Sequence, residues 1–559
     1  MTQGEPRSQQ GSAWLGWDGR RLRWRVDAAN VNCTEMELRI DGVVFERIPL
    51  VADTYARDFA FSPSGCAEME ISLHAVEGAA VMASWRVLHE RAATVGVDQW
   101  SGLPRAMRSL VDAALPAPAE WAKARAVTIV VPIYDSSQWV QRCIAAVLRW
   151  THGPARLILI DDASSDPDIA PLLAQYSGRQ GITVRQNLRN LGYTHTTNLG
   201  IELADGADVV LLNSDTEVGP RWLDRLRLTA YADAAIGTVT AVSDNAGAFS
   251  VPELEQYCPI PPRWSLPQAQ RALLQRAGGC LPELPTGNGF CLFVKRTMLD
   301  RVGALDAEAF PCGYGEENDL CQRAEHAGFR HVIAGDVLVR HARSASFGEA
   351  RRATLGAQGM AVLRARYPDY EAKVGATLYS FARRALDYRV RRIYADPDAP
   401  PPRPRVLLAC AEANLHAAEV LAAILQAQYE CFVLHDDGAC LRLYRYGGSL
   451  ALEDEAAPAI ATEDCLRVWL VRYAIELAHV LVTDGLGAVL HRAAASVGVP
   501  VADSPADADF LALRRSVSVE NEQSVAAAQH FATYCTHLYL ACWRNSASFA
   551  GGADHMATE

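Results

Sequence analysis

Between residues 13 and 95 apolar and polar residues alternate, and from residue 127 onward the apolar residues run together. Alternation marks a strand with one face on a core and the other in water, and "RLRWRV" (21–26), "MELRIDGVVF" (36–45) and "MEISLHAV" (69–76) read that way. Asp41-Gly42 supplies two residues that tolerate positive φ, as a tight hairpin requires. This predicts a small β-sandwich-like domain over 1–95, then an Ala- and Pro-containing helical linker over 96–125. In the middle, the short continuous runs "VTIVV" (127–131), "LILI" (157–160) and "VVLL" (209–212) are separated by helical patterns over about 136–149, 192–204, 220–232 and 317–327. Strands that are apolar on both faces belong to a parallel sheet covered by helices, so 126–392 reads as a Rossmann-like α/β domain.

The five prolines of "YADPDAPPPRPR" (394–405) exclude a helix or a central strand and put a linker at 393–404. Beyond it, "RVLLACAE" (405–412), "AHVLVTDG" (478–485) and "GVPVADS" (498–504) return to the style of the middle region. They predict a second Rossmann-like domain over 405–515, and 516–559 reads as a tail without a clear fold.

Composition narrows the picture by exclusion. The net charge of -12 offers no basic face for nucleic acid. No stretch approaches the ~18–20 apolar residues of a membrane span, and "MTQGEPRSQQGSAW" lacks a signal-peptide core. Fourteen cysteines without a C-x-x-C pair read as reduced thiols, which places the chain in the cytoplasm. Peripheral contact with a membrane surface or with another biosynthetic protein stays open, as does the oligomeric state.

Ligands of open α/β sheets bind outside the carboxyl ends of the strands, so the polar residues that follow each apolar run are the candidates for chemistry. "VVPIYD" (130–135) is the first such segment. In "LIDDASSD" (159–166), Asp161 and Asp162 could accept from a ribose hydroxyl or a base N–H, or Asp162 could simply cap a helix. In "VVLLNSDTEV" (209–218), Asp215 has the chemistry of a Mg²⁺ or Mn²⁺ ligand, with a cap before Pro220 as the alternative. Glu316, Glu317 and Asp319 open a helix after "GYG", where acids also complement the dipole; a base role requires one of them to face an acceptor alcohol. His341, after "VIAGDVLV", is a structural histidine or a ligand for a Mn²⁺-like ion.

In this order, "VVPIYD", "IDDASSD", "NLRNLGYTHTTNLGI", "LLNSDTEV", "TGNGFCLFVKR", "YGEENDLCQRA" and "HARSASF" resemble the family 2 glycosyltransferases of GT-A fold. The likeness runs from about Val127 to Phe347 and is nearest to bacterial members that build rhamnose-containing and other surface polysaccharides. It implies a metal-dependent, inverting enzyme that uses a nucleotide-diphosphate sugar as donor and a glycan or lipid-linked glycan as acceptor. By the same likeness Pro132, Tyr134, Asp161, Asp162, Asn187, Asn190, Gly192, Asn213 and Ser214 would line the nucleotide-sugar pocket. Gly287, Asn288, Gly289 and Glu316 would lie on the acceptor side. Glu317 matches the catalytic base and Asp319 the acid two residues on. Asp215 and His341 match the ligands of a divalent cation, Mn²⁺ or Mg²⁺. Asn213 stands where the family's D-x-D motif often has its first acid, which leaves Asp215 as the firm carboxylate ligand.

The segment 405–504 loosely resembles the first half of a GT-B glycosyltransferase, without room after it for the second half. Two other readings compete with an active transferase. A nucleotidyltransferase would need the Gly-rich basic loop that "VVPIYDSSQW" lacks. A non-catalytic carbohydrate-binding or scaffold protein with a decayed transferase fold would not need Asp215, Glu317, Asp319 and His341 together.

Overall fold

The computed structural model describes residues 7–8, 13–17, 21–27, 34–40, 42–49, 54–60, 68–76 and 81–88, then 125–504 apart from 153–154, 278–280, 344–348, 379, 396–398, 437–439, 448–454, 459–462 and 482–484, and finally 522–546. The expected helical linker over 96–125 falls almost wholly outside these residues.

The alternating N-terminal segments form two antiparallel sheets, one of five strands and one of three. Ile40 pairs with Val43, and Gly42 takes a φ of 77°. The five-stranded sheet rests on the helix Phe381–Ala395: Phe45 meets Tyr388 edge-on at 5.4 Å, and Arg384 pairs with Glu46. From its other side that helix sends Arg383 to the carbonyls of Ala248 and Ser250, each at 2.5 Å.

The middle of the chain builds an eight-stranded sheet in the order Ile182–Gln186, Ala155–Asp161, Val127–Ile133, Asp208–Leu212, Cys291–Val294, Ile236–Ser243, Arg330–His341, Thr216–Glu217. Its strands are apolar on both faces because both are covered. Ile129, Val131 and Ile133 join one core cluster, while Val130 joins another with Ile158, Ile160, Val209 and Leu211. The sheet is mixed, not purely parallel. Cys291–Val294 runs antiparallel to both of its neighbours. Its reversed direction brings the turn before it, Gly287–Phe290, to the carboxyl end of Asp208–Leu212, where Asn213 N–H donates to the Phe290 carbonyl at 3.1 Å. The long strand Arg330–His341 ends on the same side and pairs His341 with Thr216.

A six-stranded sheet follows the proline stretch, with Glu430–Asp436, Arg405–Ala411, Leu477–Val480 and Val501–Asp503 parallel and two antiparallel strands at one edge. The expected featureless tail is corrected here. Glu522–Ser546 is a helix whose Phe531, Ala532, Cys535 and Tyr539 are buried against this sheet's core. Their spacing marks a helical stripe, diluted in the sequence by alanines and polar residues.

The six-stranded unit is locked to the eight-stranded one by buried polar contacts. The Arg221 guanidinium donates to the carbonyls of Val497 (2.6 Å) and Gly498 (2.5 Å), and Arg271 meets Glu476 at 3.0 Å. No described helix is long and apolar enough to cross a membrane.

Candidate active site

A cavity of about 690 Å³ opens at the carboxyl end of the eight-stranded sheet. This lies within the usual size range of a small-molecule site. Its walls contain Pro132, Tyr134, Asp162, Asn190, Gly192, Asn213, Ser214, Asp215, Asn288, Glu316, Glu317 and His341, drawn from segments far apart in the chain.

On one wall the strand-end acid Asp162 organises the loop 187–192. Its carboxylate accepts from Asn187 Nδ2 (2.7 Å), Leu191 N–H (2.8 Å) and Gly192 N–H (2.9 Å). Gly192 has a φ of 86°, and a Cβ there would stand 2.5 Å from the Pro311 carbonyl oxygen, so only glycine fits. Asp161 and Asn187 do not line the cavity. Asp161 is buried and accepts from Ser164 N–H and Gln186 Nε2, so it braces the loop behind the wall. Gly287 and Gly289 likewise stand behind the lining residue Asn288.

On the floor, Asp215 and His341 face each other, with Nε2 3.4 Å from Oδ1. Three contacts hold His341. It stacks on Phe290 at 5.4 Å, its main-chain N–H donates to Asp244, and its Nδ1 lies 3.0 Å from the Asn245 carbonyl oxygen. A carbonyl carries no proton, so Nδ1–H is the donor. Nε2 is then the ring nitrogen turned to the Asp215 carboxylate. The pair fits a divalent cation that takes one imidazole, one carboxylate and its remaining oxygens from a diphosphate. Among the described residues no third His, Cys, Asp or Glu completes an all-protein metal cluster.

The third element is the helix Glu316–His326, which starts at Gly315. Glu317 is half-buried and accepts from Gly289 N–H at 2.9 Å. Burial raises its pKa above the ordinary carboxylate value. Glu316 is almost fully buried and accepts from Gly315 N–H; burial first, then the charge of Glu317, pushes its pKa well up. Glu316 therefore holds its proton more tightly than an ordinary glutamic acid. Asp319 has another place altogether. It is fully buried outside the cavity lining, and its carboxylate is taken up by Arg323 (2.7 Å), Arg366 (2.7 Å) and Tyr367 (2.9 Å). It anchors the helix and has no free edge for a substrate, which corrects its expected catalytic placement.

The cavity also contains residues not expected from the sequence: Tyr193, Glu255, Tyr314, Arg343 and Met360. Arg343 lies within the quoted "HARSASF", so its segment was already marked. Met360 comes from the helix Glu349–Arg366 and left no local signal.

Residues 128–302 match the family model described as Glycosyl transferase family 2. An uncharacterized glycosyltransferase of Rickettsia conorii is 26% identical over 197 residues, which are 33% of this chain and 32% of that protein. Glycosyltransferase GlyG of Streptococcus pneumoniae serotype 4 is 26% identical over 128 residues, 22% of this chain and 42% of that protein. The chain thus spans less than half the length of these curated relatives. Among solved structures, the mannosyltransferase PcManGT of Pyrobaculum calidifontis, in complex with GDP-Man and Mn2+, aligns with a TM-score of 0.33 at 18% identity, over 52% of this chain and 82% of that one.

Proposed function

We propose, for a chain that carries a glycosyl transferase family 2 domain at residues 128–302, that it is an inverting glycosyltransferase. It moves a hexosyl or deoxyhexosyl group from a nucleotide-diphosphate donor to a hydroxyl of a glycan or lipid-linked glycan, in the making of bacterial surface polysaccharide such as O-antigen or capsule. The observation that carries this reading is one cavity that holds the Asp215–His341 pair together with the raised carboxyl of Glu317. The chain would work in the cytoplasm, at the inner membrane surface when its acceptor is lipid-linked.

Asp215 and His341 would hold the divalent cation, which as a Lewis acid offsets charge on the departing diphosphate. Asp162 and the loop it orders, with Asn190 at the rim, form the nucleotide side. On the acceptor side Glu317 takes the proton of the incoming hydroxyl as its oxygen bonds to the anomeric carbon and the bond from that carbon to the diphosphate oxygen breaks. The Gly289 N–H fixes the carboxylate for this step. With one base and a single displacement the anomeric centre inverts.

The test is calorimetric titration of UDP, dTDP and GDP, each with and without Mn²⁺, into wild type and Asp215→Ala, followed by turnover with the matching nucleotide sugars. One nucleotide should bind in a Mn²⁺-dependent way, at least about tenfold weaker in the variant, since a carboxylate ligand is lost. Well-folded wild type that binds none of these and turns over no nucleotide sugar would refute the reading.

A further inference from the structure

Tyr193 opens the helix Tyr193–Leu203, directly after the glycine that Asp162 holds. Its ring lines the cavity, but its hydroxyl is buried without a hydrogen-bond partner. The Thr197 hydroxyl one turn on is close enough to influence the phenol, yet it too has no partner of acceptable geometry. A buried polar atom left unsatisfied in a native fold calls for an explanation. Gly289 supplies it. A Cβ there would stand 2.3 Å from the Tyr193 hydroxyl oxygen and 2.4 Å from Glu317 Oε1. The two oxygens therefore flank one small gap, less than two hydrogen-bond lengths apart, and glycine keeps the gap open.

We propose that Tyr193 is a positioning residue for the base: its hydroxyl donates to the ionised Glu317 carboxylate and, with the Gly289 N–H, fixes its direction toward the acceptor. This rests on Glu317 being the base. The need for such a donor follows from the surroundings. The titratable groups near Glu317 are Glu316 and Cys321 on its own helix, Tyr193, and Tyr370 from the helix Tyr370–Leu378, with Tyr134, Asp162, Asp215, Glu255, Cys312, Tyr314, His341 and Arg343 elsewhere in the cavity wall. None of the near ones is a cation. The protonated Glu316 carboxyl bonds to Glu317 from its own helix, and the Tyr193 hydroxyl is the second neutral donor at hand to stabilise the carboxylate once it is charged.

The test is Tyr193→Phe, which removes the hydroxyl and keeps the ring. The ring keeps its packing, so the variant should fold, and any loss of stability should appear only at pH values where Glu317 is ionised. The turnover number should fall about tenfold with the donor KM unchanged, and the acid limb of the pH–rate profile should move up by about one unit. Titration of ¹³C-labelled glutamate carboxyls, with the Glu317 signal assigned from Glu317→Gln, should show the same upward move without any reliance on turnover. A wild-type-like pH limb and carboxyl titration in Tyr193→Phe would overturn the proposal. If wild type transfers no sugar, the transferase reading fails by itself, and the carboxyl titration still decides the role of Tyr193.

Discussion

Both parallel-stranded units carry acids and imidazoles to the carboxyl ends of their strands, but they use them in opposite ways. In the eight-stranded sheet these groups open on the cavity. Asp215 faces Nε2 of His341, and Glu317 borders a hydroxyl without a partner. In the six-stranded sheet, among the described residues, the corresponding groups are matched to one another. His435 meets Glu412 at 2.6 Å, His491 meets Asp503 at 2.8 Å, and buried His479 lies between Tyr539 (2.8 Å) and Ser504 (2.9 Å). A polar residue at a strand end can thus meet a ligand only where it opens on a cavity instead of on a matched neighbour.

The largest effect should separate the two units outright. Glu317→Gln should lower the turnover number about a thousandfold, within the range for loss of a general base. Glu412→Gln in the other unit should leave turnover untouched. Equal losses in steady-state assays of the two variants would erase the distinction. Next, the same contrast can be drawn within one helix. Asp319→Asn should cost about 3 kcal/mol of stability, because it breaks up a buried carboxylate already bound by two arginines, and any surviving folded enzyme should keep its donor KM. Chemical denaturation and donor kinetics measure the two halves of that statement.

The smallest effect is a dependence on pH. Burial lowers the pKa of His479 from 6.5 to about 3, so the fold holds the ring neutral. Between those values the unfolded chain binds the extra proton and the folded one does not. The contribution of His479 is therefore complete above pH 6.5 and is lost progressively as pH falls toward 3. Hydrogen exchange across Leu477–Val480 should accelerate on going from pH 7 to 5, after correction for intrinsic rates, and His479→Gln should flatten that dependence. Unchanged protection in wild type would remove the argument that this unit spends its histidine on packing.

Much of this was written in the sequence. The switch from alternating to continuous apolar runs located the strands at 127–133, 155–161 and 208–212, because burial on one face or on both leaves different periods. The four named helices begin and end within about two residues of their expected bounds, since their apolar stripes face one core. Asp162, Asp215 and His341 reach the cavity because each closes or follows an apolar run at the same end of the sheet, and Glu317 enters it from the first turn of the helix after Gly315.

What was misplaced follows from simple geometry. Neighbours on a strand point to opposite sides, which separates Asp161 from Asp162. Residues two apart on a helix do not face each other, which separates Asp319 from Glu317. The unsatisfied hydroxyl of Tyr193 is a different case. It depends on what packs around it from Gly289 and Glu317, and no local pattern encodes that.

The Arg221 clamp has a consequence for inheritance. The proline stretch looks like a seam at which modules could be exchanged or lost, yet the guanidinium ahead of it is capped by carbonyls from Val497 and Gly498, well beyond it. A Cβ on Gly498 would stand 2.4 Å from Asp224, so the join is close-fitting as well as polar. A descendant that shed the C-terminal unit would uncover Arg221 and Asp224 in one step. It would have to exchange those residues first, while the unit was still in place. The two halves are therefore bound to change together, and variation at 221, 224 and 498 should be read as one character.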